Sequence, residues 1–167
     1  PQVWARSNLN EEGRAFSSVG LTINQARGIR QGGFRLSDQK RINNGVALPF
    51  QPNRANAFAG VDSGFVQPTH RFEAPRQKLQ VAGIDLEMVA APGETDDQLY
   101  VWFPADAVVF AGDNFYRSWP NLYPIRGAPY RDVQAWAKSL DRMLSEDPEH
   151  VVPGHTRPVR GRVATRE

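Results

Sequence analysis

Residues 91–127 read APGETDDQLYVWFPADAVVFAGDNFYRSWPNLYPIRG, and two acidic residues in this stretch stand at the ends of strongly patterned apolar runs. Glu94 follows a Pro-Gly turn and Asp113 follows VVFAG, so each carboxylate sits where a strand opens into a loop. Further along, VVPGH brings His155 to a third such edge. Two carboxylates and an imidazole on three rigid edges suit a borderline divalent ion such as zinc, whose protein ligands include His nitrogen and carboxylate oxygen. Taken alone, each residue has an ordinary reading as a turn, cap or surface group. Together they fall at the carboxyl ends of strands, where open α/β sheets put their ligands.

Outward from this stretch the sequence alternates strand and helix signals. KLQVAGIDLEMVAA gives two patterned segments around an Ala82-Gly83 turn, QLYVWF a third, and AVVFAG a fourth after the turn Pro104-Ala105-Asp106. Between Arg131 and Leu144, apolar Val133, Trp136, Ala137, Leu140, Met143 and Leu144 recur at helical spacing, with Asp132 in the first turn and Pro148 past the end. HVVPG is a last short strand leading to His155. The order predicts an α/β fold: a mixed sheet with a helix over one face. Upstream, Phe16, Val19, Ile23 and Ala26 predict a helix from Asn10 to about Arg30, capped by Asn8 or Asn10 and ended by Gly32-Gly33. Residues 34–68 show neither period; a loop of that length inside a compact domain implies a substrate-side excursion.

Composition narrows the chemistry. Zero cysteines exclude disulfides and thiolate metal sites, leaving His, Asp and Glu as strong ligands. Twenty Lys plus Arg against eighteen Asp plus Glu leave a formal charge of only +2, so the basic pI of 9.3 reflects Arg richness and is only weak evidence for a polyanionic partner. The Arg-rich end RPVRGRVATRE reads as a solvated tail rather than a nucleic-acid arm. No apolar run is long enough to span a bilayer, and PQVWARSNLNEEG lacks the basic, apolar, small-residue order of a signal peptide. Neither a Gly-x-Ser-x-Gly elbow nor a GxxxxGK phosphate loop is present. His70 and His150 read as structural or solvated, and Asp96 and Asp97 as cap groups or supports for Glu94.

Three segments carry a family resemblance: PGETDDQLYVWFPADAVVFAGDNF, NLYPIRGAPYRDVQAWAKSLDRML and VVPGHTRP. Over roughly residues 76–161 the chain resembles the second half of the metallo-β-lactamase fold, and within it the alkylsulfatase branch. Those enzymes place Glu where most of the superfamily has the His of Pro-Gly-His, as Glu94 does, and their bridging carboxylate follows nineteen residues later, where Asp113 stands in place of their usual Glu. Their Asn-Leu-Tyr-x-x-Arg-Gly pattern and Arg-Asp-x-x-x-Trp helix are met by Asn121, Leu122, Tyr123, Arg126, Gly127, Arg131, Asp132 and Trp136. The superfamily's His-x-His-x-Asp-His cluster is nowhere in the sequence.

The resemblance implies an αββα sandwich, of which residues 1–167 form a single partial domain, the C-terminal half. It implies hydrolysis of a small ester, an alkyl sulfate above all, by a zinc-activated water rather than a side-chain nucleophile. Two zinc ions would be bridged by Asp113, with Glu94 on one and His155 on the other, completed by the missing N-terminal half of the fold. Arg126 would grip the sulfate, since a planar fork of donors matches an oxyanion bidentately; the alternative for Arg126 is an ion pair with Asp132 or Glu94. Asn114, Asn121 and Tyr123 would add neutral donors, and Phe115, Trp119 and the 34–68 loop an apolar wall. On this reading the chain alone is inactive, no nucleic acid or membrane span is involved, and a homodimer is compatible. Cytoplasm and periplasm suit it equally. Two alternatives stay open: the same fold acting on a thioester, lactone or phosphoester, and a non-catalytic binding module with a degenerate site.

Overall fold

A computed structural model describes residues 1–9, 36, 37, 40, 66–122 and 130–167. The expected helix from Asn10 to Arg30, most of the 34–68 loop, Tyr123 and Arg126 lie outside the described residues. The chain groups into two compact units, Pro1–Glu11 with Pro68–Tyr123 and Tyr130–Glu167, and Glu12–Gln67 with Pro124–Pro129. The strands and helices of the described residues all belong to the first.

A short parallel pair, β1 (Trp4–Arg6) with β2 (His70–Phe72), stands apart from a six-stranded sheet. In that sheet β3 (Arg76–Val81), β4 (Ile84–Ala90), β5 (Leu99–Phe103) and β6 (Val108–Gly112) form an antiparallel meander. The first turn is the two residues Ala82 and Gly83, at φ 52° and 83°; positive φ at both central positions matches the right-handed twist of the flanking strands. From β6 the chain crosses through helix α1 (Val133–Ser145) to the parallel neighbour β7 (His150–Pro153). Antiparallel to β7 runs β8 (Val159–Arg160), followed by the short helix α2 (Arg162–Arg166). The expected order of four strands, helix and strand is thus present, with β8 and α2 added.

Strand alternation builds the core. The register Val89↔Tyr100, Trp102↔Val109 and Val151↔Val159 puts these residues on one face of the sheet. With Ala91, Ala111 and Met143 of α1 they form the buried cluster, and Leu140 packs against it. Helix α1 begins where Asp132 caps it, its Oδ1 accepting from Gln134 N (2.8 Å) and Ala135 N (3.1 Å). Asp132 therefore stands just outside the helix rather than in its first turn. The opposite face of the sheet is apolar too: Met88, Val101 and Phe110 lie in register, Phe103 meets Phe110 edge-on at 5.4 Å, and Phe110 remains 47% exposed. A sheet apolar on both faces is the pattern of one with layers on both sides.

Arg76 at the sheet edge bridges Glu87 of β4 and Glu146, the C-cap of α1, and Tyr100 Oη donates to Glu146 Oε1 at 2.7 Å. Burial alone would raise the Glu87 pKa, but the Arg76 hydrogen bond and charge outweigh it and hold the carboxyl below the usual range. At 13% side-chain exposure, Glu87 escapes most solvent screening. A depressed folded pKa contributes stability that is present above the unfolded value of about 4.3 and lost as pH falls through the folded one. Urea midpoints are therefore expected to decline on acidification below about pH 4.3, and Arg76→Met to flatten that decline while lowering stability at neutral pH. Tyr100, pushed upward by burial and by Glu146, acts at the other end: its contribution is lost as pH rises above about 10.

The C-terminal end departs from the expectation of a solvated tail. Val159 is buried against the sheet, Arg162 and Arg166 both reach Asp147 at 2.6 Å, and Thr165 Oγ1 donates to the Pro148 carbonyl at 2.8 Å. Arginines that read as free charge in sequence here tie α2 to the turn after α1. Among the described residues no helix is long and apolar enough to cross a membrane.

Candidate functional site

The sheet's connectivity sets where the three singled-out side chains lie. Strand β4 is antiparallel to β5, β5 to β6, and β6 parallel to β7, so β4, β6 and β7 run the same way. Glu94, Asp113 and His155 follow their carboxyl ends, and all three therefore stand off one edge of the sheet.

Asp113 and His155 meet there directly, Oδ1 to Nε2 at 3.4 Å, with the side chains 42% and 65% exposed. Gly154 lets them approach: a Cβ at that position would overlap Asp113 Oδ1 and press on the Gly112 backbone 3.0 Å away. Gly154 N also donates to the Gly112 carbonyl at 2.7 Å, locking the two strand ends together. The Tyr116 ring meets the His155 ring edge-on, centroids 5.3 Å apart. Arg117 N donates to Thr156 Oγ1 at 3.2 Å, which joins the two loops once more.

Glu94 is held differently. Its loop folds back on itself, Ala91 N donating to Gln98 O (2.9 Å) and Glu94 N to Gln98 Oε1 (3.0 Å). The carboxylate, 16% exposed, accepts Arg131 at 2.6 Å and Asn121 Nδ2 at 3.2 Å, both on Oε1. Arg131, one residue before the α1 cap, is an ion-pair partner of Glu94 that the sequence pattern does not point to. Asn114 is fully buried, its Nδ2 donating to the Ala91 carbonyl (2.6 Å) and its own carbonyl accepting Trp136 Nε1 (2.8 Å). Its Oδ1 packs against Gly93 and has no partner among the described residues. Its amide thus holds the Glu94 loop onto the end of β6, where the resemblance implied a neutral donor for the substrate. His70 stacks on Trp4 at 4.6 Å, and His150 lies within β7.

In type, one imidazole nitrogen and two carboxylates fit zinc; in number they fall short. Among the described residues, no three His, Cys, Asp or Glu side chains gather closely enough to hold a metal ion. What is assembled is a pair, Asp113 with His155, and, off the same edge of the sheet, a carboxylate anchored by arginine.

A mixed sheet with acidic and imidazole groups off the carboxyl ends of three co-directional strands puts them where open α/β sheets bind their ligands. Residues 49–155 match the family model of the metallo-beta-lactamase superfamily, and the chain belongs to that superfamily. It is 30% identical to a linear primary-alkylsulfatase from a Pseudomonas species, over 74% of this chain and 24% of that protein. To an (R)-specific secondary-alkylsulfatase, also from Pseudomonas, it is 26% identical over 87% of this chain and 21% of the relative. The solved structure of the stereoselective inverting sec-alkylsulfatase Pisa1 from Pseudomonas superposes with a TM-score of 0.69 at 26% identity, covering 99% of this chain and 26% of that one. The chain thus spans about a quarter of the length of the curated relatives it matches. The fold is the metallo-β-lactamase α/β class, as the sequence predicted.

Proposed function

We propose that this chain is the C-terminal half of a zinc-dependent hydrolase that cleaves alkyl sulfate esters, with Glu94, Asp113 and His155 as its contribution to a two-zinc site. The observation that carries the reading is the Asp113–His155 contact at one edge with Glu94, off three co-directional strands. The half-exposed apolar face around Phe110 supports a further layer supplied by the rest of the fold. On this reading the remaining ligands, for which a sequence of three histidines with no His-x-His-x-Asp-His run has no candidates, come from residues outside this chain.

Zinc, when bound, supplies a nucleophile at neutral pH by acidifying water toward a pKa of about 7. This chain's residues do the rest. Arg131 and Asn121 hold Glu94; Gly154 and Tyr116 set Asp113 and His155 against each other. Arg126 grips the sulfate, Asn121 and Tyr123 add donors, and Trp119, 63% exposed, offers apolar surface to an alkyl chain.

The test co-expresses this chain with the N-terminal half of the fold, measures zinc per complex, and compares turnover of dodecyl sulfate, a lactone and a phosphodiester. Stoichiometric zinc with preferential sulfate turnover is expected, and Arg126→Lys is expected to cut sulfate turnover about tenfold or more, since a point charge cannot replace a bidentate fork. Zinc with preferred lactone or phosphodiester turnover moves the substrate elsewhere within the superfamily, a shift consistent with Asp113 standing where alkylsulfatases carry Glu. Absence of zinc from the complex leaves a binding module.

A further inference from the structure

We propose that Arg131 is the positioning residue of this site, fixing the Glu94 carboxylate and coupling it to His155 through Asn121 and Tyr116. The proposal rests on the reading of Glu94 as a ligand given above. Arg131 and Glu94 are 10% and 16% exposed, and a charge so far withdrawn from water is costly unless paired and hydrogen-bonded. The Arg131 guanidinium donates to Glu94 Oε1 at 2.6 Å and, from the same nitrogen, to the Asn121 carbonyl. Asn121 returns to Glu94 through its Nδ2 at 3.2 Å, so two donors converge on one carboxylate oxygen and fix its rotation.

The chain of contacts continues past the carboxylate. Asn121 N donates to the Tyr116 hydroxyl at 2.6 Å, and the Tyr116 ring stands edge-on to His155, which faces Asp113. One arginine, anchored at the start of α1, thereby ties together the loops after β4, β6 and β7. Groups that orient a ligand from behind tune its metal affinity by about 10- to 100-fold. A merely structural ion pair would lower fold stability and leave metal affinity unchanged.

The experiment measures zinc affinity by chelator competition on the protein carrying this chain, alongside urea unfolding. Glu94→Gln is expected to weaken zinc binding more than 100-fold, and Arg131→Met about 10- to 100-fold. The double variant should bind no worse than Glu94→Gln alone, because Arg131 acts through Glu94. Arg131→Lys, which keeps the charge and donors, should restore most of the loss. His155 ring resonances in the metal-free chain should shift in Arg131→Met and return in Arg131→Lys. Should Arg131→Met fail to fold, Arg131→Gln carries the same expectations. Zinc affinity unchanged in the Arg131 variants, with Glu94→Gln impaired, overturns the positioning role alone. Zinc affinity unchanged in Glu94→Gln overturns the ligand reading and the positioning role with it.

Discussion

Gly93→Ala is expected to lower the stability of the fold by about 4 kcal/mol, seen as a shift of the urea midpoint at unchanged slope. A Cβ at Gly93 would overlap Asn114 Oδ1 and lie 3.3 Å from its Nδ2. Asn114 is fully buried and already spends its Nδ2 on the Ala91 carbonyl, so it cannot swing aside without orphaning both. Overpacking costs about 1–3 kcal/mol and an abandoned buried amide a comparable amount. The damage should be specific: in the Asn114→Ala background, Gly93→Ala should cost far less, because the atom it strikes is gone. A change within about 0.5 kcal/mol in the wild-type background would show that the Glu94 loop is not clamped to β6 in this way.

Asp113→Asn carries the largest expected effect on function. The substitution keeps the side chain's shape and removes a carboxylate charge at a half-exposed position beside His155, so the fold is left alone. Stability of the isolated chain should move by less than about 0.5 kcal/mol. In the assembled protein, zinc content should fall and kcat/KM for an alkyl sulfate should drop about 1,000-fold, the equivalent of about 4 kcal/mol of transition-state stabilisation. Full zinc occupancy with near-normal turnover in Asp113→Asn would remove this residue from the site.

Much of the sheet was legible because its physics is local. The alternation in LYVWF and VVFAG places Tyr100, Trp102 and Val109 inward, and the Ala82-Gly83 pair marks the tightest turn. Helix α1 was legible from its apolar period, but it starts at Val133, two residues later than the Arg131 expected, because Asp132 caps from outside the first turn. Two-residue β8 has no period to detect, and only its pairing with β7 reveals that the arginine-rich end is folded. Strand ends told that Glu94, Asp113 and His155 share an edge; they could not tell what restrains each head. The partner of Glu94 lies thirty-seven residues away in Arg131, and no spacing rule connects them. Asn114 follows Asp113 in sequence, yet Asp113 is half-exposed beside His155 and Asn114 is buried against the Ala91–Gly93 backbone, a difference set by loops distant in sequence.

In the proposed function residues 94, 113 and 155 belong to one metal centre at a single sheet edge. Anomalous diffraction at the zinc absorption edge, on crystals of this chain joined with the rest of its fold, tests it most directly. Zinc density is expected within bonding reach of His155 Nε2 and an Asp113 oxygen, with the Glu94 carboxylate completing the same centre while Arg131 still holds its other side. Zinc bound elsewhere, or density touching none of the three, would contradict it.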